Sequence, residues 1–315
     1  MESLVRAVLV DPTAPGNIRL GEAPAPTPLP GEALIRVAAT SLNRGEIRRA
    51  AQGPAGARIG WDFAGVVEKA AAGGAGPREG ARVVGMLGGG AWAELIAAPV
   101  EALAVLPDAV SFAQAATLPV AALTALYGLE KGGSLLGRNV LITGGTGGVG
   151  HMAIQIARAA GARVVATARS EQKAGVVRDA GAHEVIVADA PTALAAHAPY
   201  DLVLDGVGGP TLGAALARLA KNGLCVVYGA TAGAEVSFDA RAFYATGGAA
   251  LQGFILFHEL ARMPAGVGLA RLAALVAEGK LRPLIEIEAP LARISEIAQA
   301  LTDRSFVGKA VITFA

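Results

Sequence analysis

At 315 residues the chain is long for one core and suits two domains, and a content of 53% hydrophobic against 17% charged residues excludes intrinsic disorder. With 27 Lys and Arg against 26 Asp and Glu, a formal charge of +1 offers neither a phosphate-tracking surface for nucleic acid nor a polybasic face for anionic lipid. One cysteine, Cys225, cannot close an intrachain disulfide, and His151, His183, His197 and His258 form no close pair for a metal cage, so a reducing, cytoplasmic setting without a metal is expected.

Met1 to Pro12 carries Glu2, Arg6 and Asp11 in a short alternating run and reads as neither signal peptide nor anchor. Ala33 to Ala38, Ala64 to Lys69, Arg82 to Met86 and Ala91 to Ile96 are short, Val/Ile-containing and separated by Gly and Pro, as in a small antiparallel barrel or sandwich. Ala23 to Pro30, APAPTPLP, reads as an extended surface connection, with a Pro-rich recognition ligand as the alternative. Between Asp108 and Glu130 no residue is charged, a length that can span a bilayer. Ser111, Gln114, Thr117, Thr124 and the central Pro119 predict instead a buried helix ending near Leu118 and a second helix after it, so no membrane partner is expected.

From Asn139 the rhythm changes. Val140 to Thr143, Val164 to Thr167, Val185 to Val187, Leu202 to Leu204, Leu224 to Tyr228 and Leu251 to Leu256 are apolar runs of buried-strand length. Helical stretches at His151 to Ala160, Glu171 to Ala180 and Thr211 to Ala220 separate the earlier ones, which predicts an α/β fold with a doubly wound parallel sheet. The final segment offers a helix ending at Glu278, a strand near Ile285, a helix from Leu291 to Leu301 and a strand from Ala310 to Phe314, expected to pack on the N-terminal β-rich domain.

Asn139 to Gly150, NVLITGGTGGVG, holds an apolar strand and then Gly145, Gly147 and Gly150 in the G-x-G-x-x-G spacing at the start of a helix. The three glycines serve a tight turn, close approach of backbone to a pyrophosphate, and packing of helix on strand. Gly145, Thr146, Gly147, Gly148 and Val149 are thus candidate phosphate contacts at a helix N-terminus. About 20 residues on, where an acid would hold the ribose hydroxyls of NAD, the chain has Ala168, Arg169, Ser170 and Lys173. Two cations and a hydroxyl suit the 2′-phosphate of NADPH. The alternative makes Ser170 only an N-cap and the two cations a solvated face.

Pro30 to Val37 (PGEALIRV), Asn43 to Arg49, Gly60 to Val67 (GWDFAGVV), Gly80 to Gly85, Ala116 to Leu126, the glycine loop and Asp201 to Gly209 (DLVLDGVGG) together resemble the zinc-independent medium-chain dehydrogenase/reductase superfamily, in its quinone oxidoreductase and enoyl reductase branch. The resemblance runs end to end. It implies a GroES-like β-rich catalytic domain (residues 1–119 and 258–315) with a Rossmann NADPH-binding domain (residues 120–257) inserted into it, an active site in the cleft between them, and a homodimer formed through the Rossmann sheet edge. Zinc-dependent relatives carry Gly-His-Glu where this chain has Gly60, Trp61 and Asp62, and a Cys ligand that this chain lacks.

Without a Lewis acid, reduction of a quinone or of the C=C of an enone, enal or enoyl thioester is the expected chemistry. Asn43 matches an asparagine near the nicotinamide and substrate, with a capping Asn as the alternative. Arg48 stands where many relatives have Tyr; it can anchor an anion or pair on the surface with Glu46, which leaves solvent as the proton source. Thr124, Val207, Tyr228, Gly229, Phe254 and Leu256 fall at positions that contact the cofactor in relatives, although each apolar one also suits the core. Ala188 replaces a Tyr found in some NADPH-dependent relatives. An alcohol dehydrogenase with an unrecognised metal and a catalytically silent NADPH-binding redox sensor are the competing expectations.

Overall fold

The computed structural model describes residues 3–187 and 191–314, so Ala188 lies outside the described residues. The chain divides into two compact units, one comprising Met1–Leu123, Leu260–Gly279 and Pro283–Ala315, the other Thr124–Glu259 and Lys280–Arg282.

The first unit is β-rich. Strands β1 (Leu4–Val10) and β2 (Ile18–Pro24) form an antiparallel pair. The long β3 (Glu32–Ser41) pairs on one side with β4 (Asp62–Lys69), which continues to β5 (Arg82–Met86) and β7 (Leu103–Val105); the N-terminal half of β3 also pairs with β6 (Leu95–Pro99). Alternation along β3 sends Ala33, Ile35 and Val37 inward against Phe63, Val67, Val83 and Ile96, the period of two that a half-covered sheet requires.

The second unit holds β8 (Asn139–Ile142), β9 (Arg163–Ala168), β10 (Glu184–Val187), β11 (Tyr200–Asp205), β12 (Leu219–Val227) and β13 (Ala250–Gly253), all parallel. Their order in the sheet is β10-β9-β8-β11-β12-β13. The winding therefore reverses between β8 and β11, the place where open α/β sheets bind ligands beyond their carboxyl ends. Leu141, Val165, Ile186, Val203 and Cys225 form the strand side of the core, met by Leu212 and Leu216 of the helix Gly209–Leu216. The chain then returns to the first unit with β14 (Ile285–Pro290) and β15 (Lys309–Thr313), β15 joining β3 antiparallel and β14 parallel. Among the described residues no helix is long and apolar enough to cross a membrane.

Several expected boundaries move, each for a local reason. Ala91 to Glu94 is not strand: it crosses other elements by single contacts, such as Val8 N to Trp92 O and Glu94 N to Arg6 O, and β6 begins only at Leu95. Ala23 and Pro24 of the expected loop belong to β2. The helix expected from Thr211 to Ala220 runs Gly209–Leu216, with Pro210 in its first turn and β12 already started by Leu219. The strand expected at Leu251 to Leu256 stops at Gly253, after which Phe254 N bonds Val227 O and a short helix Leu256–Glu259 begins. Pro119 does not break the chain into separate helices. A π-turn, Leu118–Ala122, carries Phe112–Ala116 into Leu123–Glu130, and the proline sits at the start of that turn, where its missing N–H costs little.

Candidate functional site

In the second unit, the predicted phosphate loop follows β8 directly. Gly144 takes the left-handed turn (φ 67°), and Thr167 of the neighbouring β9 holds the turn through Oγ1 to Gly144 N (2.9 Å) and its carbonyl to Gly145 N (2.9 Å). The tight turn thus falls one residue before Gly145, where a Cβ would stand only 3.1 Å from Ile154, Thr167 O and Val177, a tight fit. Gly150 is needed for packing: a Cβ there would lie 2.3 Å from Gly144 O.

Gly147 is different. Its φ of −82° suits any residue, and a Cβ would meet nothing closer than Gly144 O at 3.5 Å. The exposed space beside it is a cradle that a side chain would fill, so the glycine there fits a ligand pressed against the backbone. Gly147 caps the helix Gly148–Ala159, whose first backbone bond is His151 N to Gly147 O (2.9 Å). The N–H groups of Gly148, Val149 and Gly150 therefore have no acceptor within the helix, the arrangement that suits an anion. Thr146, Gly148 and Val149 are all partly exposed here.

Arg169 and Ser170 follow β9. Ser170 is the N-cap of the helix Glu171–Asp179, yet its hydroxyl makes no capping bond. Arg169 is exposed, Lys173 is half-buried in the first turn, and Glu171 turns to Arg178 at 3.7 Å. A hydroxyl not spent on its helix, beside a guanidinium and an ammonium, fits a phosphate ester. Val207 follows β11, and Tyr228 and Gly229 follow β12; all three are partly exposed. Tyr228 lies against Gly206 so closely that a Cβ on Gly206 would meet the ring at 2.4 Å. Phe254 and Leu256 are buried, as is Thr124 in the helix Leu123–Glu130.

Two polar residues in this unit carry no sequence signal beyond the DGVGG stretch. Thr143 Oγ1 donates to buried Asp205 Oδ1 (2.6 Å) and accepts from Gly206 N (3.1 Å), while Asp205 Oδ2 accepts from Gly208 N (2.9 Å). They tie the ends of β8 and β11 together where the winding reverses. Burial pushes the Asp205 carboxyl up, and its hydrogen bonds with Thr143 and Gly208 pull the other way.

In the first unit, Asn43 caps the helix Arg44–Ala50 and sits in a buried polar network. Its Nδ2 donates to Asp62 Oδ2 (2.7 Å) and Glu46 Oε2 (3.0 Å), and its Oδ1 accepts from Lys309 Nζ (2.5 Å). Glu46 also accepts from Asn43 N (2.7 Å) and from Trp61 N (2.5 Å), and Asp62 accepts from Ser41 Oγ (2.7 Å) and Val120 N (3.0 Å). Lys309 Nζ donates to Leu42 O (2.9 Å) and lies 3.7 Å from Asp62 Oδ2.

Burial, then the Asp62 charge, pushes the Glu46 carboxyl well up, and burial pulls the Lys309 amine down against the attraction of both carboxylates. The Glu46–Arg48 surface pair is thereby excluded, since Glu46 is fully buried with both oxygens engaged inside, while Arg48 is exposed. Asn43 has both a capping and a network role. Glu46 and Lys309 were not expected at all; Lys309 reaches Asn43 across 266 residues, a contact no local pattern announces.

These residues do not fit a zinc ion. Neither Cys nor His is among them, the oxygens of Glu46 and Asp62 accept from protein donors, and the Lys309 ammonium stands beside Asp62 where a cation would have to enter. Among the described residues no group of three or more His, Cys, Asp or Glu is placed to hold a metal.

Two family models match the chain: the alcohol dehydrogenase GroES-like domain over residues 29–108 and the zinc-binding dehydrogenase model over residues 148–270. The chain is similar to a chloroplast envelope quinone oxidoreductase homolog of Arabidopsis thaliana, 30% identical over 311 residues covering 92% of each protein. It is 36% identical over 214 residues to a mycocerosic acid synthase-like polyketide synthase of Mycobacterium tuberculosis, a match to 64% of this chain that spans only 10% of that protein's length. Among solved structures, a mycobacterial protein complexed with NADPH is 29% identical, with a TM-score of 0.86 over 99% of this chain and all of that one.

Proposed function

Because the chain belongs to the medium-chain dehydrogenase/reductase superfamily, in its quinone oxidoreductase and enoyl reductase branch, we propose that it is an NADPH-dependent reductase acting on a quinone or on the C=C of an α,β-unsaturated carbonyl, without a metal. The observation that carries this reading is the phosphate cradle: Gly147 is a glycine the protein itself does not require, at the mouth of a helix N-terminus, one strand away from Arg169, Ser170 and Lys173. The NADPH complex of a relative supports the same cofactor.

When bound, NADPH supplies the hydride. Gly148 and Val149 would hold its pyrophosphate through backbone N–H groups, with Gly147 leaving the space in which it presses against the backbone, and Arg169, Ser170 and Lys173 would hold its 2′-phosphate. Thr124, Val207, Tyr228, Gly229, Phe254 and Leu256 are read as its remaining neighbours, the buried ones by shaping the wall rather than by donating bonds. A conjugated acceptor takes the hydride at its electrophilic carbon and spreads the charge to oxygen, which needs a hydrogen-bond donor.

Asn43 is read as that donor. Its bond from Nδ2 to Glu46 is the longer of its two, and Glu46 Oε2 keeps the Asn43 backbone N–H if the amide turns to substrate. Arg48 offers an exposed guanidinium for an anionic substituent, and solvent supplies the proton. A cytoplasmic homodimer completes the proposal; the free edge of β13, with Leu251 and Ile255 exposed beside it, is the surface for a second copy.

The test is NADPH and NADH oxidation by the purified, metal-analysed protein against quinones, 2-alkenals, enones and enoyl thioesters, repeated with Arg169→Asp. Turnover with NADPH is expected, and Arg169→Asp should weaken NADPH by about tenfold or more while sparing NADH. Tight NADPH binding with no acceptor reduced would leave the silent-sensor reading standing instead.

A further inference from the structure

Lys309 is almost fully buried, 4% exposed, whereas Arg6, Arg19, Arg36 and Arg293 of the same unit pair with carboxylates at the surface. An ammonium is not held inside a protein without compensation. Here the compensation is complete: Nζ donates to Leu42 O and to Asn43 Oδ1 and stands beside the Asp62 carboxylate. The geometry also fixes which end of the Asn43 amide is which, because oxygen faces the ammonium and nitrogen faces two carboxyl groups.

We propose that Lys309 is a positioning residue for the reduction: its ammonium, seated on the Asn43 carbonyl oxygen, anchors that end of the amide and draws charge from it, so that the Nδ2–H now on Glu46, once turned to substrate, is a stronger donor to the acceptor's developing oxyanion. The inference rests on the reading of Asn43 as the acceptor-side donor. Its physical basis is that hydrogen bonds in a buried chain polarise one another, so a full positive charge at one end of an amide strengthens the N–H at the other. Asp62 serves the same end by accepting from one Nδ2–H, by accepting from Val120 N in the π-turn and by favouring the charged form of Lys309. A cation placed one amide away thus takes over, through the protein's own side chains, part of the polarising role for which other enzymes use a metal.

The test compares wild type with Lys309→Met, Asn43→Ala and their double variant, reading kcat and KM for an enone, NADPH dissociation by fluorescence titration, and melting temperature. Lys309→Met is expected to lower kcat by about tenfold or more, within the range for a weakened oxyanion donor, with NADPH affinity unchanged within about threefold. The double variant should be no slower than Asn43→Ala alone, because Lys309 acts through Asn43.

Removing the amine strands two buried carboxyls and can unfold the chain, so Lys309→Met combined with Asp62→Asn removes one negative charge together with the positive one. That pair is expected to regain stability and not kcat. Recovery of kcat with stability, multiplying losses in the Lys309→Met/Asn43→Ala variant, or a folded Lys309→Met with kcat within about twofold of wild type each overturns the inference while leaving the reductase reading intact. A wild type that binds NADPH and reduces no acceptor overturns both.

Discussion

His151 is 7% exposed in the helix that follows the phosphate loop, and burial pulls its pKa from 6.5 down to about 4. Its Nδ1 meets Gln155 Nε2 at 3.0 Å, and Gln155 in turn bonds the Arg282 backbone through both ends of its amide. The neutral ring is the folded form. The unfolded chain therefore takes up the proton first as pH drops below 6.5, and the stability from this residue is present above that value and is lost as pH falls towards 4. The pKa difference amounts to about 3 kcal/mol at most. Urea unfolding at pH 7 and pH 4.5 is expected to show wild type losing about 2 kcal/mol more than His151→Gln; equal losses would mean that the ring is not buried neutral. At this scale sequence reading found residue types well and roles less well. Arg169, Ser170 and Lys173 follow from their distance to the glycine motif, whereas Glu46 read as a surface acid because nothing in RGEIRR shows that Trp61 N and Asn43 close over it.

The strand-loop-helix of residues 139–159 separates two kinds of glycine. At Gly150 the reason lies inside the protein: the helix crosses the end of β8, and a Cβ would strike the Gly144 carbonyl at 2.3 Å. Gly150→Ala is expected to cost about 2 kcal/mol of stability, the usual penalty of overpacking against backbone. Gly147 has ordinary dihedrals and open space, so Gly147→Ala should leave the melting temperature within about 2 °C and yet weaken NADPH by about tenfold or more. Thermal melts and fluorescence titrations of the two variants check the contrast, and a Gly147→Ala protein with unchanged affinity would remove the cradle from the cofactor site. The motif spacing alone marks both positions equally, because the spacing records where glycine stands and not which neighbour demands it. The same limit explains the segment around Pro119, where a proline that reads as a break is absorbed by a π-turn whose Val120 N–H is held by Asp62, 58 residues away.

Across the whole chain, the alternation of apolar strands and helices after Asn139 was enough to foresee a parallel sheet, and the order β10-β9-β8-β11-β12-β13 gives it the winding reversal that a dinucleotide fold needs. Buried parallel strands are apolar throughout, so they stand out from sequence. Strands β1, β2 and β7 left little trace: they are half-covered or very short, and their pairing is set by partners distant in the chain. The polar clusters at Asp205 and Lys309 are equally silent, since each is assembled by the fold from segments far apart.

The proposed chemistry makes one direct demand on the molecule, that a hydride pass from C4 of the nicotinamide to a conjugated carbon. The decisive measurement is reduction of an enone with NADPH deuterated at C4, the 4R and 4S labels supplied separately, and mass and NMR analysis of the product. One of the two labels should appear at the β-carbon, with an unlabelled solvent proton at the α-carbon. Product formed without deuterium at carbon from either label, or oxidation of NADPH with no reduced acceptor, would contradict hydride transfer to a C=C.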